Sequence, residues 1–312
     1  MSLERALELA ERGRGTTYPN PVVGAVLVRD GETVGEGWHE RKGGPHAEVV
    51  ALEAAGERAR GATLYVTMEP CAHHGSTPPC TQAVLAAGVA KVVAGSLDPN
   101  PEAQGGLEVL REAGVEVELA DSFAARAQNE AWRTWVAAHR PFVILKLALT
   151  VDGRVAIPGR RWISGEESRR QVHELRAQVD AVAVGMGTVR ADDPQLTARD
   201  VDVERQPRRL AFGQGPLPSG SELELRSGAV ADELETLGAE GVQSLLLEGG
   251  PTLAASFLRA GLVDKLLVYV APLLAGSGPL FAPELTSPVE LRRFAAGRVG
   301  EDLQLCGYVH EP

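Results

Sequence analysis

Apolar and polar residues alternate along the chain in short segments, and this pattern predicts a series of helices and strands. Residues 3–12 have the spacing of an amphipathic helix. Two apolar runs then flank Asp30-Gly31, a pair typical of the tight turn between antiparallel strands. Up to residue 120, the pattern predicts helices over residues 46–59, 80–87 and 104–113 and strands over 62–68, 91–96 and 115–119. This alternation is typical of an α/β fold built in layers.

Residues 121–139 form one further helical stretch, which Arg140-Pro141 ends. A strand over 141–151 begins at once, so we expect a domain boundary near residue 140 and domains over 1–140 and 141–312. The second domain alternates again. It has predicted helices over 165–178, 229–239 and 252–261, predicted strands over 180–185, 208–212, 242–250 and 265–272, a turn-rich stretch over 185–194 and a loop over 213–228.

The chain of 312 residues is 44% apolar, enough to fill two cores, and its formal net charge is −11. This charge argues against nucleic acid or an anionic membrane as the main partner, although a few arginines can still bind one small phosphorylated substrate. The acidic, amphipathic start lacks the pattern of a signal peptide, and no run of about 18 apolar residues predicts a membrane span. Three cysteines make no disulfide framework, so we expect a reducing, cytoplasmic location.

Four residues of the first domain have the types and spacing of a zinc-dependent catalytic site. His46 and Glu48 open one predicted helix, Cys71 follows a predicted strand, and Cys80 opens the next helix. One histidine and two thiolates supply three ligands and leave a fourth position for water. Helix starts favour thiolates, because the helix dipole and the free N–H groups lower the thiol pKa. Glu48 can then move protons without binding the metal, an arrangement typical of nucleobase deaminases.

Two other interpretations of these residues stay open on the sequence alone. An H-x-E triplet is common by chance, and a lone cysteine is more often a small core residue. A structural zinc site normally needs four protein ligands, and His73 or His74 could supply the fourth. Glu48 would have no obvious task in such a closed site, so the joint pattern favours catalysis.

Longer stretches of the first half extend this pattern. Over residues 15–110, the chain resembles the bifunctional deaminase/reductase family of riboflavin biosynthesis. The segments that carry this resemblance are TTYPNPVVGAVLV, GEGWHERKGGPHAE, TMEPCAHHGSTPPC and SLDPNP. The eight residues between Cys71 and Cys80 distinguish this family from cytidine and tRNA adenosine deaminases, whose two cysteines typically lie closer together. The resemblance implies a cytidine-deaminase-like, three-layer domain. It also implies hydrolytic, zinc-dependent deamination of a phosphoribosylated diaminopyrimidinone, with Glu48 as the catalytic residue.

The resemblance also implies deaminase substrate contacts at Asn20, His39 and His73. Taken alone, these residues would be a turn-forming asparagine and two exposed loop histidines. One position departs from the family pattern, because Ser76 stands where a lysine or an arginine is common. The phosphate contact usually assigned to that position therefore has no counterpart, and the sequence does not show what replaces it.

The second half offers softer chemical signals. Lys146 lies in an apolar strand, and Arg176 and Arg199 flank glycine-rich turns. The segment 247–250 (Leu-Glu-Gly-Gly) ends a strand before a helix, where glycines let a phosphate approach the backbone and the helix N–H groups. Neither this segment nor GMGT is the dinucleotide-binding fingerprint, and on residues alone plain tight turns explain both.

A series of ordered motifs favours a binding function over plain tight turns, because these motifs resemble the family's reductase half. They are KLALTVDGRVA, RRWISG, HELRAQVDAVAVGMGTVRADDPQLTAR, SLLLEGGPTLAASFL and LVDKLLVYVAPLLAG. The resemblance implies a dihydrofolate-reductase-like domain that uses NADPH to reduce the ribosyl group to ribityl. The implied cofactor contacts are Ala148, Trp162, Thr188, Asp192, Gly250, Pro251, Thr252, Leu253, Ala254, Ala255 and Ser256. The implied reductase substrate contacts are Arg176, Leu196, Arg199 and Glu248. Alone, Arg176 would be a solvated helix position and Asp192 a turn cap.

Two departures distinguish the second half from the family pattern. Arg160 stands where the family has a serine, and the segment 210–241 is shorter, with Ala-Phe-Gly at 211–213 in place of Val-Leu-Asp. The resemblance implies a bifunctional homo-oligomer, in which the stretch missing here helps elsewhere to bind the adenine side of the cofactor. Two alternatives remain: an active deaminase with a mainly structural second half, and a zinc-stabilised binding or scaffold protein without turnover.

Overall fold

A computed structural model describes residues 2–74, 78–203 and 205–312 of the chain. These residues form two compact units, Met1–Ala137 and Ala138–Glu311. Each unit is built on one sheet with helices packed against it, which confirms the predicted α/β class. No helix within the described ranges is long and apolar enough to cross a membrane.

The first unit carries its helices between and around five sheet strands. The helices are α1 (Ser2–Glu11), α2 (Ala47–Ala55), α3 (Cys80–Ala87), α4 (Gly106–Glu112), α5 (Phe123–Gln128) and α6 (Glu130–Ala138), with a 3₁₀ turn at Gly56–Ala59. The strands are β1 (Gly24–Arg29), β2 (Glu32–Trp38), β3 (Thr63–Val66), β4 (Lys91–Ala94) and β5 (Glu116–Leu119). Their order is β2-β1-β3-β4-β5, and β3, β4 and β5 run parallel.

The predicted hairpin forms the antiparallel edge of this sheet. Arg29 of β1 pairs with Glu32 of β2 across the turn. The turn residues Asp30 and Gly31 both have positive φ, 51° and 82°, as a type I′ turn requires. Sequence reasoning therefore placed this turn correctly.

The sheet is the middle of three layers, because successive residues of β1 face opposite sides. Ala25 and Leu27 pack into the core cluster formed with α2 and α3, whereas Val26 packs against Ala6 and Leu9 of α1. The parallel strands β3, β4 and β5 end at one edge of the sheet. The loops that follow β3 and β4 therefore meet there, which is where α/β sheets commonly hold their sites.

The second unit has a larger sheet. Its helices are α7 (Glu166–Gln178), α8 (Met186–Asp192), α9 (Val230–Ala239) and α10 (Pro251–Arg259). Its strands are β6 (Phe142–Thr150), β7 (Ala181–Gly185), β8 (Arg208–Phe212), β9 (Glu224–Arg226), β10 (Ser244–Leu247), β11 (Lys265–Ala271), β12 (Arg292–Val299) and β13 (Asp302–Tyr308). Their order is β12-β13-β11-β6-β10-β7-β8-β9.

The strands from β11 to β9 run parallel, whereas β13 and β12 complete the sheet as an antiparallel edge. Strands β7 and β10 are apolar and almost entirely buried, as expected for strands covered on both faces. The carboxyl ends of six neighbouring strands therefore share one edge of the sheet.

The single helix expected over residues 121–139 is wrong, because the structure has two helices separated at Asn129. The Asn129 side chain accepts a hydrogen bond from the Val22 N–H and donates one to the Val22 carbonyl oxygen, both at 2.9 Å. These bonds satisfy the backbone of Val22, just before β1, as a neighbouring strand would. A tertiary contact of this kind leaves no local signal in the sequence.

Four further elements differ from the sequence expectation in the second unit. Residues 185–194 were expected to be turns, but α8 forms there because Met186 and Val189, one helical turn apart, are buried in the core. The expected loop over 213–228 contains β9, which pairs with β8. The final hairpin β12–β13 was not predicted, and all but the last residue of β12 are exposed, so its apolar alternation is weak.

Candidate active sites

The structure brings the three predicted metal ligands together in the first unit. His46 immediately precedes α2, Cys71 lies in the loop after β3, and Cys80 is the first residue of α3. Their ligand atoms all lie within 4.8 Å of one another. His46 Nδ1 lies 3.2 Å from Cys80 Sγ and 3.6 Å from Cys71 Sγ.

The electrostatics of the two thiols fit a site for a soft divalent cation. The hydrogen bond with Cys80 lowers the pKa of Cys71 to about 4, assisted by His46 and against the effect of burial. The same hydrogen bond and burial raise the pKa of Cys80. The Cys80 N–H also donates to Cys71 Sγ at 3.3 Å. One thiol therefore keeps its proton beside a neighbouring thiolate, and a cation between them would let both ionise.

The described residues offer three such ligands rather than four. Neither His73 nor His74 joins the cluster, although both are described. His74 is exposed, and its Nε2 lies 3.4 Å from Gln82 Nε2. Three protein ligands with an open position are typical of catalytic zinc, which counts against the structural-zinc interpretation.

Glu48 lies in the first turn of α2 beside these ligands, and only 3% of its surface is exposed. Burial raises the pKa of its carboxyl group, and the charge on His46 opposes this. A carboxyl group that is easily protonated next to a metal site can carry a proton between water and a substrate. This is the position that the sequence predicted for the catalytic residue.

The three predicted deaminase substrate residues lie in different surroundings. His39 is buried, and its Nδ1 lies 3.0 Å from the Pro45 carbonyl oxygen. Burial lowers the pKa of His39, so the neutral ring donates from Nδ1 and leaves Nε2 as a buried acceptor without a described partner. His73 Nδ1 is likewise buried and unpaired among the described residues. Asn20 is exposed. Ser76 lies outside the described residues.

Sequence reasoning did not single out Glu69 and Asp98, two buried carboxylates next to this site. Glu69 accepts hydrogen bonds from the Leu107 N–H at 2.9 Å and from the Asp98 N–H at 3.3 Å. Asp98 accepts one from the Asn100 N–H at 2.8 Å. Burial, with a contribution from Glu69, raises the pKa of Asp98 to about 6. Both residues belong to motifs that carried the family resemblance, which was the available signal.

In the second unit, all four predicted substrate residues of the reductase and three of the predicted cofactor residues line one cavity of about 1540 Å³. The cavity is lined by residues of β6, by the residue that follows β10, by α7 and by the loop after α8. Of the predicted residues, it is lined by Ala148, Trp162, Arg176, Asp192, Leu196, Arg199 and Glu248. Lys146 and His173 also line it.

A buried charge cluster forms one wall of this cavity. Arg176 donates two hydrogen bonds to the Glu248 carboxylate, at 2.6 and 3.0 Å, and one to the Thr197 carbonyl oxygen at 3.1 Å. Lys146 Nζ lies 3.8 Å from the same carboxylate. Burial lowers the pKa of Lys146, although Glu248 opposes this. Burial acts to raise the pKa of Glu248, but the charges of Lys146 and Arg176 outweigh it.

Trp162 and Leu196 both border the cavity, but they differ in how much of each residue is exposed. The Trp162 indole is 46% exposed, and the guanidinium groups of Arg161 and Arg169 lie 5.0 and 5.4 Å from its ring centre. Arg160 Nε donates to the Trp162 carbonyl oxygen at 2.8 Å. Leu196 is 3% exposed and has a φ of 55°, which is unusual for a branched residue. Only its backbone is therefore available to a ligand.

The remaining predicted cofactor residues do not line this cavity. A Cβ atom at Gly250 would lie 3.8 Å from Thr188 Oγ1, so the starts of α8 and α10 are close to each other. Ala254 and Ala255 are buried in α10, and the Ser256 hydroxyl bonds the Thr252 carbonyl oxygen within the helix. Cofactor contacts over residues 250–256 therefore stay a prediction.

Both units match sequence families. Residues 2–96 match the family model for the cytidine and deoxycytidylate deaminase zinc-binding region, and residues 141–216 and 223–305 match that for the RibD C-terminal domain. The riboflavin biosynthesis protein RibD of Aquifex aeolicus is 40% identical to the chain, and the alignment covers 96% of each sequence. RibD of Mycobacterium tuberculosis is 43% identical over 96% of the chain and 94% of that protein.

Solved structures give the same result. RibD of Acinetobacter baumannii superposes with a TM-score of 0.83 at 36% identity, over 98% of this chain and 97% of that one. A diaminohydroxyphosphoribosylaminopyrimidine deaminase/5-amino-6-(5-phosphoribosylamino)uracil reductase from Thermotoga maritima superposes with a TM-score of 0.81 at 34% identity and the same coverage. The similarity therefore extends over nearly the full length of the chain and of each matched protein.

Proposed function

Because the chain belongs to the RibD family of riboflavin biosynthesis proteins, we propose that it carries out two successive reactions on one phosphorylated pyrimidine. The first unit deaminates a phosphoribosylated diaminopyrimidinone with zinc, and the second uses NADPH to reduce the ribosyl group to ribityl. The observation that carries the proposal is the presence of a separate polar site in each unit. One is the His46–Cys71–Cys80 cluster beside Glu48, and the other is the cavity around Arg176 and Glu248.

In the deaminase reaction, water replaces the ring amino group and ammonia leaves. His46, Cys71 and Cys80 would hold the zinc, which would supply the Lewis acidity that makes water a nucleophile near neutral pH. Glu48 accepts a proton from the attacking water and passes it to the leaving nitrogen, so that the C–N bond breaks. Because burial raises the pKa of Glu48, its carboxyl group can change protonation state at little cost during this cycle.

The unpaired histidine atoms of the first unit support a role in holding the substrate. His39 Nε2 and His73 Nδ1 are buried polar atoms that lack a partner among the described residues. Leaving such atoms unpaired costs free energy, which a bound polar ligand would recover. We assign the ring and sugar groups of the substrate to these atoms and to Asn20.

In the reductase reaction, the bond between C1 and the ring oxygen of the sugar breaks, a hydride adds to C1, and the released ring oxygen takes up a proton to become a hydroxyl group. NADPH supplies the hydride, and the protein aligns it with the sugar. Arg176 and Arg199 suit the phosphate group, since guanidinium forms bidentate hydrogen bonds with such anions. Lys146 is the proton donor that the cavity offers, because burial lowers the pKa of its ammonium group next to Glu248.

The structure of the second unit favours catalysis over the mainly structural alternative. Despite the shorter segment 210–241, β8 and β9 pair in parallel, and α9 leads into β10. The cavity keeps a buried cluster of opposite charges, which costs stability to assemble and is typical of a functional site. We therefore propose domains over 1–140 and 141–312, with the second as a working reductase.

Two further parts of the proposal concern the whole protein. None of the three cysteines in the described ranges forms a disulfide bond, which supports a reducing, cytoplasmic location. The edge hairpin β12–β13 exposes Phe294 and Leu303, at 57% and 42%, which supports a homo-oligomer formed on that surface. Sedimentation analysis of the purified protein should then give a mass of at least two chains.

Removal and return of zinc tests the first reaction. Ammonia release from the diaminopyrimidinone should disappear after the metal is stripped and return on addition of one equivalent of Zn²⁺. A Cys71→Ser variant should bind little zinc, because it lacks one of only three ligands. Full ammonia release by metal-free protein, or full zinc content in the variant, would show that the ligand assignment is wrong.

A further inference from the structure

The cavity of the second unit contains a histidine to which the proposed function has given no task. His173 belongs to α7 and lies three residues before Arg176, so the two side chains share one face of the helix. Both line the cavity. His173 Nδ1 is buried, and it has no hydrogen-bond partner among the described residues. The Thr197 carbonyl oxygen lies beside the ring, and the ring borders the cavity, where a ligand can reach the imidazole.

The charges that face His173 favour an anion. They are Arg176 on the same helix, Arg199 on the loop after α8, and Glu248 after β10. Glu248 is already engaged by Arg176 and by Lys146. Arg199 has no carboxylate partner among the described residues. Around the His173 ring, two arginines therefore stand beside one carboxylate that is already paired, which leaves the charge of Arg199 available to an anion.

The backbone beside His173 has an unusual shape. Leu196 has a left-handed φ of 55°, and the Thr197 carbonyl oxygen that follows accepts a hydrogen bond from Arg176. This carbonyl also lies next to the His173 ring and acts to raise its pKa. Backbone strain in a bulky residue is typical of segments that are held in place for binding. Helix α7 and this loop thus form two sides of one anion-binding corner.

We infer that His173 is a third ligand, with Arg176 and Arg199, for the phosphate group of the reductase substrate. The inference rests on the proposed function, since the phosphate is that of the phosphoribosylated pyrimidine. A phosphate monoester suits the positive charge of the two arginines, and its oxygens would accept a hydrogen bond from the imidazole. His173 acts here in binding and specificity rather than in hydride transfer.

The protonation of His173 should be linked to phosphate binding. In the empty site, burial lowers its pKa first, followed by the charges of Arg176 and Arg199. A bound dianion would favour the imidazolium form, so binding should take up a proton. The contribution of His173 is then largest at slightly acidic pH and falls as the pH rises through the pKa of the complex.

Comparison of phosphorylated and dephosphorylated substrates tests this inference. His173→Gln should raise KM for the phosphorylated substrate by about tenfold, the loss of one charge-assisted hydrogen bond, with kcat nearly unchanged. KM for NADPH and the release of ammonia by the first unit should not change. With the dephosphorylated substrate, the variant and the wild type should have the same kcat/KM. His310→Gln, which alters a histidine whose ring bonds the Gly261 carbonyl oxygen at the surface, is the matched control.

Two results would overturn the inference: an unchanged KM for the phosphorylated substrate, or an equal loss with and without the phosphate. The KM ratio of variant to wild type should also decline between pH 6 and pH 8, because His173 of the wild type loses its proton as the pH rises. Titration of the phosphate itself occurs with both proteins and cancels in the ratio. If the wild type oxidises no NADPH, the reductase proposal fails instead. Calorimetry with ribose 5-phosphate then decides the point, since His173→Gln should weaken its binding about tenfold and equal binding contradicts the inference.

Discussion

Glu248 is the residue on which the charges of the second cavity depend, and its effect can be measured. Its carboxylate is 10% exposed and pairs with Arg176 and, at 3.8 Å, with Lys146. Glu248→Gln removes the carboxylate that pairs with both of these buried cations. We expect NADPH oxidation to be lost and the free energy of unfolding to fall by about 3 kcal/mol, the cost of leaving buried charge unpaired.

A matched substitution in α7, the helix that carries Arg176, controls for this effect. Glu174 pairs with Arg170 at 3.8 Å, and both side chains are largely exposed. Glu174→Gln should change the unfolding free energy by less than about 0.5 kcal/mol, because solvent screens such a pair. Denaturant unfolding of both variants measures the difference. Equal losses would mean that the Glu248 pair contributes no more than a surface ion pair.

The raised pKa of a second carboxyl group, that of Asp98, should make the stability of the protein depend on pH. Burial and Glu69 raise its pKa from 3.8 to about 6 in the folded protein. The folded state therefore binds this proton more tightly than the unfolded state, and the stabilisation is complete below pH 4 and lost as the pH rises through 6. Asp98→Asn should make the protein more stable than the wild type by about 2 kcal/mol at pH 8, with little difference at pH 4.

Glu53→Gln, which alters an exposed carboxylate of the same unit, provides the comparison for Asp98→Asn. Thermal or urea unfolding at the two pH values measures both variants. If Asp98→Asn has the same effect at pH 4 and pH 8, the carboxyl group of Asp98 titrates normally in the folded state.

At the scale of single residues, the sequence predicted the types of the functional residues better than their interaction partners. Arg176, Arg199 and Glu248 were each assigned to the substrate, and all three line one cavity. The bidentate pairing of Arg176 with Glu248 was not predicted, because the two residues are 72 positions apart. Glu69 also passed unnoticed, since its hydrogen bonds to the Asp98 and Leu107 N–H groups depend entirely on the tertiary fold.

At the scale of elements, the first turn of α4 fixes the loop that carries Cys71. A Cβ atom at Gly106 would lie 1.7 Å from the Pro70 carbonyl oxygen, which is backbone and cannot move aside. Gly106→Ala must therefore displace α4 or the loop. We expect the unfolding free energy to fall by about 2 kcal/mol, as in other overpacked sites, and the zinc content to fall with it.

Gly187 offers the opposite case within a helix. No atom lies within 4 Å of a Cβ at this position in α8, and its φ is not positive. Gly187→Ala should leave the zinc content unchanged and stabilise the protein slightly, by up to about 1 kcal/mol, because alanine favours helix. Metal analysis and thermal unfolding compare the two variants. Full zinc content in Gly106→Ala would show that α4 does not position the metal loop.

The elements that the sequence predicted are those whose signal is local. The Asp30-Gly31 hairpin and the apolar strands β3, β6, β7 and β10 carry their own turn residues or apolar runs. The break between α5 and α6 depends on a hydrogen-bonded side chain that reaches the Val22 backbone, and α8 depends on core packing that outweighs its glycine. Such elements follow from the fold rather than from their own residues, so pattern analysis missed them.

At the scale of the whole molecule, two active units on one chain allow each reaction to be removed separately. Glu48→Gln keeps the shape of the side chain but removes its ability to take up a proton, and it leaves the second unit unaltered. The deaminase ligands and the reductase cavity belong to different compact units. The account therefore predicts that one activity can disappear while the other survives.

The most direct test supplies purified Glu48→Gln protein, loaded with zinc, with each pyrimidine in turn. We predict that it releases ammonia from the diaminopyrimidinone at least about 100-fold more slowly than the wild type, the usual contribution of a general acid–base group. We also predict that it oxidises NADPH with the deaminated substrate at the wild-type rate. Absence of NADPH oxidation in both proteins at saturating cofactor, or undiminished ammonia release by the variant, would contradict the bifunctional account.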